Sequence, residues 1–169
     1  MKVLETERLL LRRLTIDDAP FVLRLVNEPS WLRYIGDRGV KTIEDARNYL
    51  LKGPLAMYAR LGFGLYLSIL REGDVPIGLC GLIKRDTLPD VDIGFAYLPE
   101  FRGRGYAREA AQAVLEHAKG RLGLDHVVAI TSPDNGDSIK LLASIGFTFD
   151  QTLSLVAGDP AVNLYSRRL

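Results

Sequence analysis

In Arg102-Gly103-Arg104-Gly105-Tyr106-Ala107, two glycines alternate with basic residues at the point where a strand-like run gives way to a helical one. Glycines at 103 and 105 let successive main-chain N–H groups turn inward as a nest, and a helix N-terminus adds about half a positive charge. Ala107 is small enough for a ligand to approach the first helical turn, and Arg102 and Arg104 bring full charges nearby. These residues suit a bound polyphosphate. A plain helix start with tight-turn glycines and solvated arginines is the competing reading. Two other phosphate turns fail in detail. A dinucleotide fingerprint needs Gly or Ala at position 108, which is Arg108, and a P-loop needs a Gly-Lys-Ser/Thr that does not follow.

Other reactive side chains are sparse. Cys80 stands alone inside Ile77-Gly78-Leu79-Cys80-Gly81-Leu82-Ile83, so it can form neither an internal disulfide nor a CxxC metal site and reads as a buried, inert thiol. His117 falls on a long helix and His126 at a strand start, where surface or structural roles outweigh catalysis. No nucleophilic triad assembles.

The elements that must position the glycine turn follow from periodicity and punctuation. Residues 8–13 form a first strand, and Thr15 with Asp17 and Asp18 opens a helix ending near Asn27, with Phe21, Val22, Leu25 and Val26 as its apolar stripe. A loop containing Pro29 and Trp31 leads to Thr42, the N-cap of a second helix that Gly53-Pro54 closes. Strands over residues 64–71, 75–84 and 90–98 make an antiparallel meander. From 106 to 122, Ala107, Ala111, Val114, Leu115, Ala118 and Leu122 step by three and four, which is a helix, ended by Gly123. A strand over 126–131, a short helix over 136–145 and strands over 147–155 and 162–168 close the chain. The strand–helix–strand unit in the middle requires a parallel pair.

With no repeat, linker or low-complexity tract, residues 1–169 read as one mixed α/β domain. Lysine and arginine number 22 against 21 acidic residues, so no global field draws in nucleic acid, and no basic stripe replaces it. Glu5, Glu7 and Arg8 precede the only early apolar run, which argues against a signal peptide. The longest charge-free stretch, 61–70, is about half the length that spans a bilayer. A cytoplasmic protein without membrane partners is the expectation.

Arg102-Gly103-Arg104-Gly105-Tyr106-Ala107 matches Arg/Gln-x-x-Gly-x-Gly/Ala, and the chain thereby resembles the GNAT acetyltransferase superfamily. The likeness covers nearly the whole chain. Glu7-Arg8-Leu9-Leu10-Leu11-Arg12, Ile93-Gly94-Phe95, Gly105-Tyr106-Ala107-Arg108-Glu109-Ala110 and Asn135-x-x-Ser138 leading to Gly146-Phe147 are similar to the branch holding ribosomal-protein N-terminal acetyltransferases. The resemblance implies a mostly antiparallel sheet of six or seven strands, a splayed parallel central pair and about four helices. It also implies acetyl-CoA as cofactor, with the pantetheine arm pairing along Phe95, Ala96, Tyr97 and Leu98. The amides of Arg102, Gly103, Arg104, Gly105, Tyr106 and Ala107 would hold the pyrophosphate, and Asn135 and Ser138 would contact the coenzyme.

The implied reaction is N-acetyl transfer by direct attack of a primary amine, on a protein N-terminus or a small molecule, with a non-catalytic acyl-CoA-binding module as the alternative. An alkyl amine with pKa near ~10.4 is mostly protonated at pH 7, so a base is needed. Asp92, two residues before Gly94 where relatives often carry an acid, is the candidate; a solvated strand carboxylate is its rival. A backbone N–H near Leu98 is the expected oxyanion donor. Leu142 stands where many members of the superfamily carry a tyrosine acid, and Ser138 is the substitute proton donor. Trp31 and Tyr34, with Arg33 and Ile35, are candidates for the acceptor wall, and the resemblance leaves both a monomer and a homodimer open.

Overall fold

A computed structural model describes residues 1–169. Strand β1 is Lys2–Glu5, β2 Leu9–Arg13, β3 Leu65–Leu70, β4 Val75–Ile83, β5 Asp92–Tyr97, β6 His126–Thr131, β7 Thr148–Leu153 and β8 Val162–Arg168. The helices are α1 (Ala19–Leu25), α2 (Pro29–Tyr34), α3 (Ile43–Leu50), α4 (Ala56–Leu61), α5 (Tyr106–Gly120) and α6 (Gly136–Ser144). All strands join one sheet in the order β1-β2-β3-β4-β5-β6-β8-β7. Every neighbouring pair is antiparallel except β5 and β6, which α5 connects in parallel.

Alternation along the strands sends side chains into two cores. Tyr66, Ile77, Leu82 and Ile93 pack with Ala111, Val114 and Leu115 of α5 and Leu142 of α6. Leu67, Ile69 and Leu79 face the other way, against Val22 and Leu25 of α1 and Ala46 and Leu50 of α3. The sheet is therefore sandwiched between helices. No helix is long and apolar enough to cross a membrane.

The structure has eight strands and six helices where the family likeness implies six or seven strands and about four helices. The added strand β1 is a four-residue edge, too short and too charged to carry an alternation signal. Helix α2 starts on Pro29, whose missing N–H does no harm at a first helical position, and it buries Trp31. Gly53-Pro54 does not close the second helix. The chain widens there into a π-type turn, Leu51–Leu55, which absorbs the proline, and α4 then continues to Gly62 in the left-handed conformation.

One ion pair sets the start of α5. The Glu109 carboxylate in its first turn accepts from the Thr6 hydroxyl at 2.5 Å, the Arg8 N–H at 3.0 Å and Arg8 Nε at 2.8 Å. Burial pushes this carboxyl up, but the hydrogen bonds from Thr6 and Arg8 outweigh it and hold it below the ordinary range. Arg8 Nη1 also donates to the Arg104 carbonyl at 2.9 Å, and its guanidinium lies 4.4 Å from the Tyr106 ring centre. The glycine turn is thereby tied to the loop between β1 and β2. Leu67→Ala, which empties a fully buried site between β3 and the α1–α3 layer, should destabilise the fold by about 2–5 kcal/mol in urea unfolding; a loss under about 1 kcal/mol would contradict this packing.

Candidate active site

Strands β5 and β6 share one register pair, Asp92 with Val128, and then separate. Each keeps its outer partner: β5 runs with β4 as far as Tyr97 opposite Gly78, and β6 with β8 as far as Thr131 opposite Asn163. The opening is a cleft of about 720 Å³. Helix α2 bridges its mouth. Arg102 Nη2, beyond the end of β5, donates to Ser30 Oγ at 2.6 Å, and Ser132 Oγ, beyond the end of β6, donates to the Tyr34 carbonyl at 3.1 Å.

At the start of α5, the N–H groups of six successive residues, Gly103 through Arg108, donate to no acceptor in the protein. Gly103 and Gly105 have φ of +72° and +82°, the left-handed region that turns neighbouring amides toward one side. Gly103, Gly105, Tyr106, Ala107 and Arg108 all line the cleft, and nothing lies within 4 Å of where a Gly103 side chain would begin. Such a cradle suits an anion with several oxygens.

The expected span needs correction at both ends. The Arg102 N–H is already given to the Pro99 carbonyl at 3.2 Å, while Arg108, absent from the expected set, adds a free amide. The Arg102 side chain is also committed, donating from Nε and Nη2 to the Tyr97 carbonyl at 3.0 and 2.8 Å, and Arg104 is not among the residues that line the cleft.

Along β5 the Leu98 N–H donates to Ile77 at 2.9 Å, and the alternation of an antiparallel ladder then turns residues 92, 94 and 96 toward β4 as well. Past the last pairing with β6, Phe95, with N–H and carbonyl, and Tyr97, with its N–H, present main-chain groups to the opening. The Leu98 amide is therefore not available as an oxyanion donor, and neither Ala96 nor Leu98 has main-chain groups free for a ligand. Leu98 is fully buried outside the cleft, whereas Ala96 contributes its side chain to the wall.

Three buried side-chain atoms in the whole protein lack a partner: Trp31 Nε1, Asp92 Oδ1 and Thr131 Oγ1. All three residues line this cleft. A buried polar atom without a partner is destabilising, and its concentration in one cavity marks a place where a ligand completes the bonding. Asp92 is 1% exposed, which excludes a solvated strand carboxylate. Burial pushes its pKa up to about 6, with Arg85, whose Nε lies 3.4 Å from Oδ2, opposing the rise. A carboxylate in that range is a workable base near neutral pH.

Ser138 and Asn135 line the cleft at the start of α6, where Asn135 Oδ1 accepts the Ser138 N–H at 3.4 Å as the helix cap. Leu142 is buried on the same helix and reaches the cleft wall. Trp31, Tyr34 and Ile35 line the cleft; Arg33 does not, pairing instead with Asp134 at 3.2 Å. Tyr49, Arg38, Arg85 and Thr131 also line it. Sequence reasoning misses these because they lie on four separate segments with no common motif. Cys80 is fully buried, its thiol pushed up to about 12 by burial, and both histidines stand outside the cleft.

A folded-state pKa raised above the ordinary 3.8 means that folding disfavours the ionised Asp92, so its contribution to stability falls as pH rises from about 4 to about 6. Asp92→Asn should thus stabilise the fold by up to about 3 kcal/mol at pH 8 and by nothing at pH 4 in thermal or urea unfolding; destabilisation at pH 8 would show the carboxylate to be well solvated or well paired.

The model of the acetyltransferase (GNAT) domain matches residues 8–148. An N-acetyltransferase of Bacillus subtilis strain 168, YnaD, is 30% identical over 141 residues, covering 83% of this chain and 79% of its own. An acetyltransferase structure from Agrobacterium tumefaciens superposes with a TM-score of 0.82 at 29% identity, covering 97% of this chain and 92% of its own. The ribosomal L7/L12 alpha-N-protein acetyltransferase RimL, solved with coenzyme A, shares the fold at 20% identity with a TM-score of 0.81, covering 100% and 98%. With the glycine cradle, the splayed parallel pair and these matches in agreement, the chain belongs to the GNAT acetyltransferase family, whose cofactor is acetyl-CoA.

Proposed function

We propose that the protein transfers an acetyl group from acetyl-CoA to a primary amine, a small-molecule amine or a protein N-terminus. The convergence of five residues with free amides and three unpartnered buried side-chain atoms on one cleft carries this reading. The amides of Gly103 to Arg108 hold the pyrophosphate, the open edge of β5 at Phe95 and Tyr97 pairs with the pantetheine arm, and Asn135 and Ser138 flank it from α6. Acetyl-CoA supplies an activated acyl carbon, whose C–S bond breaks as the C–N bond forms.

Asp92 Oδ1 takes the proton that the amine must lose, directly or through one water, and Arg85 steadies the carboxylate through Oδ2. The Tyr97 N–H, facing the opening where the Leu98 amide does not, is the main-chain donor to the acyl oxygen. The Ser138 hydroxyl relays a proton from water to the departing sulfur and recovers its own, a light duty because a thiol with pKa of about 8.5 is already a fair leaving group. Trp31 and Tyr34 wall the acceptor side. RimL acts on a protein N-terminal amine, which fits the same chemistry. Leu142 in the place of an acid favours a second reading, a binding module without turnover. Thiol release from acetyl-CoA across a panel of amines and peptides separates the two, since a module would bind and release nothing.

Gly105→Glu, which sets a carboxylate on the cradle at a φ of +82°, should weaken acetyl-CoA binding by more than about a hundredfold in calorimetry while circular dichroism stays native; unchanged affinity would displace the site. Wild-type turnover should rise with pH through about 6 as Asp92 loses its proton. Asp92→Asn should slow transfer roughly 10²- to 10⁴-fold near pH 7, with coenzyme affinity retained, and the gap should narrow at high pH where the amine is already free. An unaltered pH–rate profile would remove Asp92 from the mechanism.

A further inference from the structure

The cleft does not end at Asp92. Beside it Arg85 and Arg38 reach the same cavity from the β4–β5 turn and from the segment between α2 and α3, and Tyr49 of α3 stands with them. Both guanidinium groups are near enough to the Tyr49 phenol to counter, in part, the upward push of burial on it. Arg38 is not neutralised within the protein. Arg38 has no carboxylate within 4 Å, and the carboxylate of Arg85 is Asp92 itself, at 3.4 Å and half satisfied. Glu28, Asp137 and Asp159 also line the cleft, but none pairs with either guanidinium. Two cations therefore line the cleft beside the proposed base, where the one buried carboxylate, Asp92, pairs with Arg85 and Arg38 has no anion of the protein. Arg38 is exposed at the cleft and open to a ligand, and the planar fork of donors of a guanidinium matches a carboxylate.

We infer that the acceptor is a small amine with a carboxylate beside its amino group, as in a free α-amino acid, the carboxylate held by Arg38 and Arg85 across Tyr49 while the amine faces Asp92. This deepens the transfer reading above and rests on it. The spacing is the argument. Arg85 Nε and Asp92 Oδ2 are in contact, so an anion on one and an amine on the other must belong to groups only a few bonds apart. In a peptide the position next to the amine is a neutral amide, which leaves Arg38 without a counter-charge. The products are an N-acetyl amino acid and free coenzyme A, the amine proton leaving through Asp92.

The test offers the protein and acetyl-CoA the free α-amino acids, their C-terminal amides, the decarboxylated amines and a set of short peptides, and follows thiol release. At least one free amino acid should exceed its own amide and amine by about tenfold or more in kcat/KM, the loss expected for one charge-assisted hydrogen bond. Trp31 is the single tryptophan and lines the cleft, so binding of that amino acid should also change its fluorescence saturably, more tightly than the amide does. Arg38→Gln should erase the preference through KM rather than kcat, and Arg38→Lys should keep part of it. Thiol release with amides, amines or peptides at rates equal to the acids overturns this inference and leaves acetyl transfer standing. Coenzyme binding with no thiol release from any member of the panel overturns both.

Discussion

Separation of β5 from β6 after one register pair is the constraint on which the rest depends. A parallel pair in the middle of a sheet normally continues, because every buried N–H and carbonyl left without a partner is destabilising. Here the strands are pulled apart by their outer neighbours: β4 keeps five further residues of β5 in register, and β8 keeps three further residues of β6. The gap exposes the main-chain edge at Phe95 and Tyr97 and lets α5 begin beside it with its first amides free. The site is thus made mostly of backbone. That explains why bulky residues such as Arg104 and Tyr106 are tolerated within the glycine turn.

Everything around the gap holds it open. Glu109 fixes the first turn of α5 to Thr6 and Arg8. Arg102 turns back on the last carbonyl of β5 and across to Ser30, so a residue of the phosphate-type motif serves as a brace between strand and roof. Helix α2 is six residues long and would not persist alone in water. Buried Trp31 and the two ties at Ser30 and Tyr34 keep it across the mouth. Burial and charge then compete at Asp92: the low-dielectric wall favours the neutral acid, Arg85 favours the anion, and the result lies near neutrality, where a proton can move in either direction.

Much of this is legible in the chain. The helix stripe from Ala107 to Ala118 is periodic enough to be read directly, and glycines at 103 and 105 announce a left-handed turn at its start, as φ of +72° and +82° bear out. The buried Cys80 and the parallel pair required by a strand–helix–strand unit follow from local pattern. The errors lie where one residue type serves two geometries. Pro54 reads as a stop, yet a wider turn accommodates it, and Pro29 marks a loop by composition but opens a helix. Proximity sets Leu98 on the cleft, and a single hydrogen bond to Ile77 turns it to the other side.

The amino-acid order by itself determined most of the elements, the left-handed glycine turn and the family likeness, because these depend on backbone conformation and on spacing within a dozen residues. Tertiary structure alone decided which amides stay unpaired, that Asp92 is buried with one oxygen free, and that Trp31, Thr131, Arg38 and Arg85 share a cavity. Whether a polar group finds a partner, and what it costs to bury it, depends on atoms brought in from distant segments. No local pattern in the chain records that.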